Sequence, residues 1–146
     1  TPFLLSKEYG FIYTSSRKDL ALFDIKLIVN SFFLGVGAGG DSFYILSAGL
    51  PGNSHNWLLE ILTNFGLLVF IPYIILNIKI LVSLFKIFKS NTLSEDIKNL
   101  ALGLFIGLLI LPVNGMMSSS LLRQNSFWVY YGIIMAFCDK YQSSVE

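Results

Sequence analysis

GLLVFIPYIILNIKILVSLF (Gly66–Phe85) is a run of twenty residues whose main polar interruptions are Asn77 and Lys79. At about 1.5 Å of rise per residue, a helix of this length matches a hydrocarbon core of about 30 Å. Lys79 falls near one end of the run, where its long stem can carry the ammonium group to the interface. Pro72 predicts a kink. The run therefore reads as a membrane span, and the rest of the chain is read outward from it.

Downstream, NLALGLFIGLLILPVNGMM (99–117) is a cleaner second span, and FWVYYGIIMAFC (Phe127–Cys138) begins a third that starts near Arg123 and ends close to Tyr141. The expected fold is all-α: a polytopic helical membrane protein with about three transmembrane helices (66–85, 99–117 and 124–141). An external loop, 1–65, carries amphipathic helices, and 142–146 forms a cytoplasmic tail. Lys86, Lys89 and Lys98 lie between the first two spans and Lys140 stands at the end of the third, whereas the 118–126 link carries only Arg123. The positive-inside rule puts 86–98 and the C-terminus in the cytoplasm, so 1–65 and 118–126 face outward.

Composition agrees with a membrane class. The 146 residues are 54% hydrophobic and 13% charged, against about 45–50% and about 25% in soluble domains. A net charge of +1 gives no reason to expect nucleic acid. The single cysteine, Cys138, permits no internal disulfide. The opening TPFLLSKEYGFIYTSSRKD lacks the basic, apolar and small-residue order of a secretory leader, and the expectation is the C-terminal part of a longer polytopic protein.

Upstream of the first span, RKDLALFDIKLIVNSFFL (Arg17–Leu34) is apolar but broken by Asp19, Asp24, Lys26 and Asn30. Each central charge costs roughly 2.5–3.5 kcal/mol on insertion scales, so a lipid-exposed span is excluded. A helix lying at the interface or packed in a bundle fits, with Ser15 or Ser16 as its N-cap. Residues 35–53 are rich in glycine and read as a loop. A short amphipathic helix follows, with Asn56, Glu60, Thr63 and Asn64 in one polar stripe, capped by Asn53 or Ser54 and broken by Gly66.

Gly35, Gly37 and Gly40 satisfy a G-x-G-x-x-G pattern, but a dinucleotide site needs a buried strand before it and a helix after it. Neither is expected here, and a flexible loop or an anion-binding backbone nest remains. His55, the only histidine, lies five residues before Glu60 at the entrance to the first span. One His, one distant Cys and no clustered carboxylates cannot close a metal site, so neither a metal nor another cofactor is expected. The imidazole caps a helix or faces headgroups, or else it acts as a general base or acid toward a hydroxyl, with Glu60 orienting it. Arg17 and Arg123 are the only arginines. They either reach headgroups or clamp phosphate with their fixed forks. Ser118–Ser120 reads as a polar turn, with no elbow motif of a serine hydrolase around it.

SSR (Ser15–Arg17), LGVGAGGDSF (Leu34–Phe43) and HNWLLEILTNFG (His55–Gly66) together resemble the O-antigen ligase and polymerase superfamily, and FWVYYGI resembles its final helix. The resemblance covers most of 15–138; Val69 stands where the family often has a second glycine. It implies a larger helical membrane domain and a metal-independent glycosyltransferase on the outer face of the bacterial cytoplasmic membrane. Such an enzyme transfers a glycan from an undecaprenyl-diphosphate carrier to a sugar hydroxyl on a glycan or lipid acceptor. His55 is then the group that activates the acceptor and Arg17 the arginine that binds diphosphate; Arg123, on the same side and at a helix end, is placed for the same role outside the family motif. Gly35, Gly37 and Asn56 belong to the substrate loop. The alternative is a non-enzymatic polytopic protein, such as a polysaccharide exporter or flippase component or an accessory subunit; spans two and three carry no buried charges to line a path.

Overall fold

The computed structural model describes residues 17–50, 56–117 and 124–142. In chain order its helices are α1 (Arg17–Asn30), α2 (Gly40–Ser47), α3 (Trp57–Lys89), α4 (Glu95–Met117) and α5 (Asn125–Gln142), with no strand among the described residues. They fall into two compact units, Thr1–Ile71 with Gly115–Ser120 and Pro72–Asn114 with Leu121–Glu146.

In the first unit, α1 buries Leu20, Phe23, Asp24, Leu27 and Ile28, the i, i+3, i+4, i+7, i+8 spacing of one helix face. Leu20, Phe23 and Leu27 pack with Ile45 of α2 into an apolar core flanked by Val36, Tyr44, Ala48 and Leu50. α2 corrects the reading of 35–53 as loop throughout. Its start is not a local matter: Gly39 turns the chain through a left-handed conformation (φ 74°). The amide of Asp41 then donates to Asn64 Oδ1 at 3.0 Å, a cap supplied from 23 residues away. The glycine pattern does open a helix after all, but a helix rather than a strand precedes it, and the dinucleotide reading stays excluded.

α1 ends with Phe32 and Phe33 at positive φ (51° and 61°). The Phe33 amide reaches back to Ile28 O at 2.9 Å and that of Phe32 to Val29 O at 3.0 Å, closing the helix with a reversed final turn. Ser31 adds its hydroxyl, donating to Ile28 O at 3.0 Å and accepting from the Gly35 amide at 3.3 Å.

In the second unit, the polar groups inside apolar helices find one another. The Asn77 amide group donates to Tyr73 O at 2.8 Å, the Tyr131 hydroxyl bonds Asn77 Oδ1, and the Tyr73 and Tyr131 hydroxyls lie 2.9 Å apart. Asn77 is thus a tie between α3 and α5 rather than a blemish. Tyr130 donates to Leu104 O at 2.8 Å, and it passes so close to Gly107 that a Cβ there would overlap its hydroxyl. The small residue lets α4 and α5 approach, as in other membrane helix pairs.

Among the described residues, α3 and the Glu95–Gly115 part of α4 are long and apolar enough to cross a membrane, and only 17% of either apolar window is buried. A core helix of a soluble protein would be mostly covered; these turn their apolar side chains outward. α5 has eighteen residues, but its tyrosines, Asp139, Lys140 and Gln142 keep it below that apolarity. The chain is an all-α membrane protein.

Removing the hydroxyl that joins three residues should loosen the α3–α5 pairing. Tyr131→Phe is expected to lower stability by about 1 kcal/mol, within the range of interhelical hydrogen bonds in membranes. Unfolding in mixed micelles with increasing denaturing detergent measures this, and an unchanged midpoint would show the tie to be energetically neutral.

Candidate functional site

The helix that begins at Trp57 is capped by its predecessor: Asn56 Oδ1 accepts the Leu59 amide at 3.3 Å, and Asn56 O accepts that of Glu60 at 2.8 Å. The cap is therefore Asn56; Asn53 and Ser54, the capping residues expected from sequence, lie outside the described residues, as do Ser15 and Ser16. Glu60 sits in the first turn of α3, where the helix dipole favours a carboxylate, and it is buried.

At Gly66 the helix is interrupted, with φ 67° and ψ −171°. In a regular helix the Leu67 amide would bond Thr63 O and the Leu68 amide Asn64 O. Instead, Thr63 O accepts the Val36 amide at 2.8 Å and Asn64 O that of Gly37 at 2.9 Å, while the Leu67 amide donates to Phe33 O at 2.9 Å. The glycine loop is thus stitched, backbone to backbone, into the gap in α3. Contact is close enough to demand glycine on both sides. A Cβ on Gly35 (φ 88°) would lie 2.6 Å from Asn64 O and Gly66 N, and one on Gly66 would overlap the Phe33–Leu34 backbone.

The stitching brings together the two halves of the sequence motif, GVGAGG and HNWLLEILTNFG. It also commits the loop's donors. The amides of Gly35, Val36, Gly37 and Gly40 bond Ser31 Oγ, Thr63 O, Asn64 O and Gly37 O respectively. An anion nest needs such amides free, so this part of the loop serves the fold. Its open side is at Gly37 and Gly39, where nothing lies within 4 Å of an added Cβ.

The polar stripe of α3 points inward. Glu60, Thr63 and Asn64 are buried together with Trp57 and Ile61, and Asp24 of α1 and Asp41 and Ser42 of α2 are buried too. Sequence reasoning treated Asp24 only as an interruption and passed over Asp41. The signal for Asp24 was present, as a carboxylate among Leu20, Phe23, Leu27 and Ile28, whereas Asp41 lay in a stretch read as loop and gave none. Arg17, the first residue of α1, is exposed. His55, Arg123 and Ser118–Ser120 lie outside the described residues. No cluster of metal-ligating side chains occurs among the described residues. In the second unit a shallow groove of about 370 Å³ is lined by Ile97, Leu100 and Phe137 with Asp96 and Lys140, and it holds none of the motif residues.

The chain is similar to the teichuronic acid biosynthesis protein TuaE of Bacillus subtilis (strain 168), with 29% identity over 113 residues, 74% of this chain and 23% of that protein. The chain thus spans about a quarter of the length of this curated relative. No protein-family model and no solved structure matches it.

Two substitutions separate the parts of the stitch. Gly66→Ala forces backbone overlap and a strained φ, and should cost about 2–4 kcal/mol and expose the Val36 and Gly37 amides. Asn64→Ala removes only the side-chain cap on α2, costing about 1 kcal/mol. Hydrogen exchange by mass spectrometry should show lost protection across 35–37 in the first variant, and around Asp41 alone in the second.

Proposed function

We propose that the chain is part of a membrane glycosyltransferase of cell-envelope polysaccharide synthesis, acting as a polymerase or ligase on the outer face of the bacterial cytoplasmic membrane. The observation that carries this reading is the physical joining of the glycine loop to the helix that follows His55. The two motif halves form one local structure, at the start of a span. The similarity to a teichuronic acid biosynthesis protein supports the same class of work. The proposed topology has 1–65 outside, about three spans within 66–141, and 142–146 in the cytoplasm.

The donor is an undecaprenyl-diphosphate-linked glycan, so its reacting bond sits at headgroup depth beside the span. His55, neutral, takes the proton of the acceptor sugar hydroxyl. The hydroxyl oxygen forms a bond to the anomeric carbon as the bond from that carbon to the diphosphate oxygen breaks. The electron pair leaves with undecaprenyl diphosphate, whose charge Arg17 and Arg123 neutralise, and the imidazolium returns its proton to water. Glu60 orients the imidazole, and the open edge of the loop at Gly37, with Asn56, borders the substrate. No metal takes part.

His55→Ala in the full-length protein should reduce glycan chain growth at least about 100-fold, the usual contribution of a general base, with membrane insertion intact. Arg17→Lys should restore little of what Arg17→Ala loses, because an ammonium group lacks the bidentate fork. Polymer length on gels, beside immunoblots of the membrane fraction, reads both. Normal polymer in the His55→Ala strain would remove the base from the mechanism.

A further inference from the structure

α1 has two apolar faces, and only one is used by the fold. Opposite the buried Leu20–Phe23–Leu27 side, Leu22, Ile25 and Val29 are 55%, 47% and 54% exposed, and they share one stripe at i, i+3 and i+7. The stripe runs on into Phe32, Phe33 and Leu34, which are 84%, 45% and 65% exposed. Arg17 and Lys18 stand exposed at the start of the helix, and Lys26 is exposed on the same face as the stripe. With its other apolar face covered by the fold, an exposed apolar stripe with cations beside it offers a headgroup layer both of the contacts it makes.

The depth of this stripe is set by a bond already described. Phe33 O accepts the Leu67 amide at 2.9 Å, and Leu67 opens the outward-facing apolar run of Leu67, Leu68, Val69 and Ile71. The tip at Phe32–Leu34 is therefore tied to the first turn of the membrane span and cannot rise far from the boundary between headgroups and acyl chains. The left-handed turn at Phe32 and Phe33 keeps both aromatic residues at that tip.

We infer that the Leu22–Ile25–Val29 stripe and the Phe32–Leu34 tip form a second membrane contact, a monotopic edge sunk into the leaflet that the first span enters. Its occupant is phospholipid: acyl chains against the leucine, isoleucine and phenylalanine side chains, anionic headgroups against Lys18 and Lys26. The contact gives the glycine loop a fixed height at the lipid surface, and it stands independently of the glycosyl-transfer chemistry.

Nitroxide scanning tests it in the full protein, reconstituted into vesicles of phosphatidylglycerol and phosphatidylethanolamine, with Cys138→Ala as background. Labels are placed one at a time through Leu22→Cys, Ile25→Cys, Val29→Cys, Leu34→Cys and, as a control at the polar border of the stripe, Asn30→Cys. All five positions are exposed, so folding should survive, and circular dichroism verifies it. The first four labels should relax several-fold more with oxygen than with a water-soluble nickel chelate, and the control should show the reverse. Stripe labels open to the nickel chelate would place the edge in water. Labels shielded from both reagents would place it against protein. Either result overturns the inference.

Discussion

At Gly66 the longest helix among the described residues gives up its own hydrogen bonds and takes those of another segment. A carbonyl left unpaired there would cost about 1–3 kcal/mol in a buried setting, and several in hydrocarbon. Thr63 and Asn64 avoid that cost because Val36 and Gly37 supply the missing amides, and Leu67 in turn gives its amide to Phe33. The break is tolerable only with the loop in place, and the loop is held only because the break exists. Two glycines, Gly35 and Gly66, make the approach sterically possible.

From that exchange follows the character of the first unit. Asn64 holds the loop through its carbonyl and α2 through its side chain, so one buried residue fixes two elements. Around it the interior is mixed. The apolar cluster of Leu20, Phe23, Leu27 and Ile45 coexists with buried Asp24, Asp41 and Glu60. Asp41 and Glu60 both lie in the first turn of a helix, where exposed amides and the helix dipole favour negative charge. Polar structure is thus buried beside the N-terminal part of the longest described helix.

The second unit shows the complementary economy. There polar side chains set within apolar stretches bond between helices, as in the Tyr73–Asn77–Tyr131 set and the Tyr130 bond to Leu104. Most large apolar side chains of its helices α3 and α4 face outward. The chemistry proposed for the protein, a proton taken from a sugar hydroxyl while a lipid diphosphate departs, needs both kinds of surface within reach of each other.

Much of this was legible in the order of residues. Span length, apolar content and the helix break at Gly66 follow from composition and from the special place of glycine in φ,ψ space, both local properties. The buried face of α1 does not follow from its sequence, because leucine and isoleucine stand on both sides of it and only contact with α2 decides which side is covered. Other features depend on partners distant in the chain. α2 begins where it does because Asn64 caps Asp41, and no reading of the glycine-rich stretch alone could supply that acceptor. The polar stripe of α3 turns inward because the loop's amides need its carbonyls, whereas an isolated amphipathic helix would turn such a stripe to water. In the loop that resembled a phosphate nest, the amides of Gly35, Val36, Gly37 and Gly40 are committed to the fold. Local sequence sets what each segment can be; which hydrogen bonds it keeps is decided by the segment it meets.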